Sequence, residues 1–129
     1  MATRAYVRAG VVVAAALTVA VLLPMIGASR EYERELRLIA VDRTFYLEGG
    51  AQANPTLKLR AGERVKVTLR NEDDGMRHDF RIHAWNVGMP AIAGRGERSI
   101  VVRVPNVRGT TSYACTPHAS SMQGLIEVE

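Results

Sequence analysis

Between Leu36 and Val128 the chain is cut by glycine-, proline- and asparagine-bearing punctuation into runs of four to seven residues, none with a helical period. Gly49-Gly50, Asn54-Pro55, Ala61-Gly62, Asp74-Gly75, Gly94-Arg95-Gly96 and Arg108-Gly109 all supply residues suited to turn geometries. Between them, Leu57 and Leu59 alternate with Lys58 and Arg60, and Val65, Val67 and Leu69 with Lys66 and Thr68. A period of two sends one set to each face of a strand, so each run has one face to bury and one to wet. Strands are predicted over 36–41, 44–47, 56–60, 64–70, 78–83, 98–104, 110–115 and 124–128. Short strands at this spacing, without helices, predict an all-β fold of two antiparallel sheets packed as a β-sandwich.

The N-terminal segment is of another kind. From Ala9 to Ser29 no residue is charged, the stretch from Gly10 to Leu23 is strongly apolar, and Arg4 and Arg8 precede it. A run of about 20 apolar residues is long enough to cross a bilayer as a helix, and the basic flank favours a cytoplasmic amino end. A cleaved signal peptide is the alternative, with Ile26-Gly27-Ala28 ahead of the cut. The expected organisation is a membrane anchor or signal helix over residues 1–29, a polar linker over 30–35 and one domain over 36–129. The domain is expected outside the cytoplasm, in the periplasm or on the outer face of the cell membrane, either anchored or secreted.

From Arg30 onward 15 basic residues stand against 13 acidic ones, a net charge of +2. The arginines are scattered among glutamates and aspartates instead of forming a stripe, which argues against a nucleic-acid partner. The single cysteine, Cys115, excludes an intramolecular disulfide. A lone thiol in an exported protein calls for another explanation, and metal ligation supplies one.

Cys115-Thr116-Pro117-His118 and then Met122 place a thiolate, an imidazole and a thioether within eight residues. Such soft and borderline donors select copper over calcium or magnesium; two histidines, one cysteine and a weak axial methionine make a blue-copper centre. The second histidine has to come from upstream. His78 and His83 are five residues apart, so on one strand they face opposite ways. His78 shares its face with Phe80 and Ile82, His83 with Asp79 and Arg81, which makes His78 the inward ligand and His83 an exposed residue. Parity also points Cys115 the same way as Tyr113 and Thr111. For the axial position Met122 is expected, with its neighbour Gln123 as the other residue type able to fill it. Asn71-Glu72-Asp73-Asp74 lacks the ligand spacing of a calcium loop and reads as a solvated turn. His118 is expected to show an edge to solvent beside Ala119, and the apolar inter-strand loop Met89-Pro-Ala-Ile-Ala93 either surrounds that edge through Pro90, Ala91 and Ile92 or packs on the end of the sandwich.

Tyr113-Ala-Cys-Thr-Pro-His118, Met122-Gln-Gly-Leu-Ile-Glu-Val and Asn71-Glu-Asp-Asp-Gly-Met-Arg-His78-Asp-Phe together resemble the cupredoxins of the plastocyanin/azurin type. The resemblance spans roughly residues 36 to 129. It implies an eight-stranded Greek-key β-sandwich, one type 1 copper ion at one end held by His78, Cys115, His118 and Met122, and outer-sphere transfer of single electrons. Many cupredoxins carry Pro before the first histidine and Asn after it. Met76-Arg77 and Asp79 stand there in this chain, so the resemblance does not carry over the side-chain link that Asn makes. A binuclear copper centre of the oxidase subunit II kind needs two cysteines in its ligand loop and is excluded. The expected protein is therefore a monomeric, non-enzymatic carrier between redox partner proteins such as respiratory-chain components. The alternative is an extracytoplasmic protein that stores or delivers copper.

Overall fold

The structure is a computed structural model describing residues 31–129. The helix expected over residues 1–29 lies outside the described residues. Among those described, no helix is long and apolar enough to cross a membrane.

Among the described residues nine strands follow in order: β1 (Arg34–Val41), β2 (Thr44–Leu47), β3 (Leu57–Leu59), β4 (Arg64–Asn71), β5 (Arg77–Ile82), β6 (Val87–Ala93), β7 (Gly96–Arg103), β8 (Gly109–Ala114) and β9 (Gln123–Val128). They form a four-stranded sheet in the order β2-β1-β4-β7 and a five-stranded sheet in the order β3-β9-β8-β5-β6. The all-β sandwich expected from the alternating runs is present, with two corrections. The sheets are mixed, because β1 pairs with β4 and β3 with β9 in parallel. The stretch around Pro90, expected as a loop, is strand β6, paired with β5. Its lack of period-two alternation hid it, and Pro90 is tolerated because β6 is an edge strand.

Alternation does set the core. Val65, Val67 and Leu69 of β4 point inward, as do Leu57 and Leu59 of β3, all 3% exposed or less. Phe45, Phe80 and Tyr113 meet between the sheets with ring centroids 5.3 to 6.3 Å apart. Such aromatic contacts add to what burial alone provides. On the outer face of the four-stranded sheet, Arg37 pairs with Glu35, Glu48 and Glu97, and Arg70 with Glu48 and Glu72. These arginines are thus matched by carboxylates, in keeping with the mixed charge of the sequence.

One arginine–glutamate pair has a buried carboxylate and a partly exposed arginine. Glu63, 3% exposed, accepts hydrogen bonds from Nε and Nη2 of Arg34 and, at 2.8 Å, from the Arg60 N–H. Burial pushes its carboxyl up, but the Arg34 and Arg60 bonds outweigh that and hold it below the ordinary value of 4.5. A carboxyl with a depressed folded value stabilises the fold above its unfolded value and stops doing so as pH falls through the folded one. Stability is therefore expected to decline as pH drops below 4.5. Glu63→Gln should flatten that acid limb in urea unfolding curves measured across pH.

Candidate metal centre

The site forms where β5, the end of β8 and the start of β9 meet. β8 and β9 are antiparallel neighbours, and the ladder closes with the Cys115 N–H donating to the Met122 carbonyl at 2.9 Å. Residues 115–122 are thus a tight loop. Pro117, with its fixed φ, sits in a 3-10 turn over Thr116–His118. Inside the loop the His118 N–H donates to the Cys115 carbonyl at 3.1 Å and the Met122 N–H to the His118 carbonyl at 2.8 Å. Asn54 braces it from outside, accepting from the Phe45 N–H and donating to the Ser121 carbonyl, both at 3.0 Å.

His78, Cys115 and His118 come together as the sequence predicts, with their ligand atoms within 4.8 Å of one another. Cys115 Sγ lies 3.7 Å from His78 Nδ1 and 3.6 Å from His118 Nδ1. Metal–sulfur and metal–nitrogen bonds of about 2.3 and 2.0 Å would span either separation, so the sulfur could share one small ion with each nitrogen. Two imidazole nitrogens and a thiolate are also the donor chemistry that suits copper. Cys115 and His78 are wholly buried, whereas His118 is partly exposed beside exposed Pro117 and Ala119. Met122 is wholly buried at the loop's end and Gln123 is exposed. His83 lies beyond β5, exposed in a 3-10 turn over His83–Trp85 and outside the ligand group.

Burial pushes the Cys115 thiol up and the Asp79 carboxylate adds to it, while backbone N–H groups of Asp79 and His118 offset only part. A cation that replaces the proton relieves the cost of a buried thiolate. Burial, with His78 and Arg43 nearby, lowers the His118 imidazole and so favours the neutral form, which can donate its lone pair.

Three expectations need correction around these ligands. Asp79, read as facing outward, is 7% exposed; its Oδ1 accepts from the Thr116 N–H at 2.6 Å and ties β5 to the ligand loop. The register shift between His78 and Phe80 breaks simple parity there. Asn71 and Asp73, read as part of a solvated turn, are 1% and 9% exposed. Asp73 Oδ2 lies 2.7 Å from His78 Nε2, so this carboxylate touches a ligand directly. Parity held the signal for Asn71, which continues the inward series Val65, Val67, Leu69; nothing in the pattern marked Asp73. Of the two readings of Ile92, the surface place beside His118 gives way to packing: it is 7% exposed and lies in the core.

No family model matches the chain, and no curated protein sequence does. Solved structures do. Auracyanin B is similar with a TM-score of 0.61 over 76% of this chain and 90% of its own, at 19% identity. Rusticyanin from Thiobacillus ferrooxidans, described as a copper protein, is 26% identical with a TM-score of 0.54, covering 74% of this chain and 76% of its own. The McoA multicopper oxidase from Aquifex aeolicus has a TM-score of 0.60 at 14% identity over 76% of this chain, which matches only 27% of the oxidase. The fold is that of the cupredoxins, and the resemblance drawn from the ligand motifs holds.

Proposed function

We propose that this cupredoxin-fold chain is an exported mononuclear blue-copper protein carrying single electrons between redox partners. The observation that carries the reading is the convergence of Cys115 Sγ with the Nδ1 atoms of His78 and His118 inside a buried, hydrogen-bonded cage. Copper bound there would supply a one-electron couple between Cu(I) and Cu(II). Cys115 and His78 present their donors from wholly buried positions, and backbone bonds fix the loop that carries His118. Such a cage resists rearrangement when the charge of its occupant changes. Met122, buried where Gln123 is exposed, is the residue we assign as the fourth donor that would hold the copper. His118, the one partly exposed imidazole, offers the route by which electrons enter and leave, with Ala119 and Pro117 at the contact. We assign the domain no catalysis of its own. Export is supported by the charge-free segment from Ala9 to Ser29. Redox proteins outside the cytoplasm, respiratory-chain components among them, are the partners this reading requires.

Storage or delivery of copper uses the same donors, and retention separates the two. Voltammetry of the copper-loaded protein is expected to give a reversible couple that persists through repeated cycles with a Cu(I) chelator present. Loss of the signal to the chelator on first reduction would instead make the protein a donor of copper.

A further inference from the structure

The contact between Asp73 and His78 is more than packing. Asp73 lies between β4 and β5, and its carboxylate is held from several directions. Its own N–H donates to Asn71 Oδ1 at 2.9 Å, and its Oδ1 and Oδ2 accept from the Asp42 N–H at 3.2 and 2.9 Å. Asn71 is fixed in turn, its Nδ2 donating to the Met76 carbonyl at 2.8 Å and the Ile92 carbonyl at 3.1 Å. A single side chain thereby joins the end of β4, the approach to β5 and strand β6, and hands Asp73 a defined place.

An ionised carboxylate only accepts hydrogen bonds, so a 2.7 Å contact with Nε2 requires the imidazole proton to sit on Nε2. In the neutral imidazole Nδ1 is then bare, and it faces Cys115 Sγ. A partner on the second nitrogen of a ligating histidine fixes tautomer and ring orientation and raises ligand basicity. His118, by contrast, has no side-chain carboxylate bonded to its ring among the described contacts, so the two imidazoles are not equivalent.

We infer that Asp73 is a positioning residue of the metal centre: clamped by Asn71 and the Asp42 N–H, it fixes His78 as the Nε2–H tautomer and biases the site electrostatically toward the oxidised metal. The inference rests on the copper reading above for its second half, while the first half concerns the metal-free protein. The negative charge beside one ligand favours the more highly charged ion, so removing it should raise the reduction potential.

Two variants divide the roles. Asp73→Asn removes the charge and keeps an acceptor at the position of Oδ2; Asp73→Ala removes both. Nitrogen–proton correlation spectra of the metal-free proteins, above the ordinary histidine titration range, should show His78 protonated at Nε2 in the parent and in Asp73→Asn. Asp73→Ala should show a mixture of tautomers. After copper loading, Asp73→Asn should bind Cu(II) about tenfold more weakly relative to Cu(I), a rise of about 59 mV for a one-electron couple. Asp73→Ala should lose about 10–100-fold in copper affinity. An unchanged tautomer in a folded Asp73→Ala protein would overturn the positioning role, and an unchanged potential in Asp73→Asn would overturn the electrostatic one. A parent protein that fails to take up copper would refute the copper reading instead, leaving the tautomer result to decide the role of Asp73.

Discussion

Gly124→Ala is expected to cost the domain about 3 kcal/mol of stability. A Cβ at Gly124 would lie 2.5 Å from Cζ and Oη of Tyr113 and 2.6 Å from Cε1. The ring has nowhere to go. Tyr113 is wholly buried, its hydroxyl donates to the Pro55 carbonyl at 2.6 Å, and Phe80 stacks on it at 5.4 Å. Overpacking of this kind costs about 1–3 kcal/mol, and pulling a buried hydroxyl off its acceptor adds about 1–3 kcal/mol. The β8–β9 register pairs Tyr113 with Gly124, so the absence of a side chain in β9 makes room for the aromatic ring of β8. Tyr113 precedes Cys115 by two residues, and its displacement should also loosen copper binding. Urea unfolding of the two proteins measures the first effect, and a loss below about 1 kcal/mol would mean the core repacks around the methyl.

Asn71→Asp exchanges one atom and is expected to be as damaging, at about 3–5 kcal/mol. The amide Nδ2 donates to the Met76 and Ile92 carbonyls, and an oxygen in its place would set acceptor against acceptor at 2.8 and 3.1 Å. The new carboxylate would also be buried beside that of Asp73, which itself contacts His78. Either the added group takes up a proton or the β4–β5 connection opens. Urea unfolding near neutral pH measures the loss. Asn71→Asp with the stability of the parent would show that the amide bonds do not hold this connection in place.

The sheet-forming runs were legible wherever one face met water. β1, β2, β3, β4, β8 and β9 all fell within the predicted strands to within a residue or two, because alternation reports a half-buried strand directly. β6 was not legible, since Val87–Ala93 mixes glycine, proline and apolar residues without alternation and its strand character comes from pairing with β5. The parallel pairings were equally hidden, as period-two patterning is the same whichever way a neighbour runs. Of the site, the motif from Cys115 to Met122 and the inward face of His78 could be read directly, since ligand chemistry and strand parity are local properties. Asp73 and Asp79 could not. Their burial follows from tertiary contacts to His78 and to the Thr116 N–H, and a charged residue in a polar turn carries no local mark of such a fate.

The central claim, one copper held by Cys115 and two histidines, is tested most directly by visible absorption of the purified protein during titration with Cu(II). An intense thiolate-to-copper band that saturates at one copper per chain, and is absent from Cys115→Ser, is the predicted result. A folded protein that stays colourless with Cu(II) present, or a band that survives in Cys115→Ser, would contradict it.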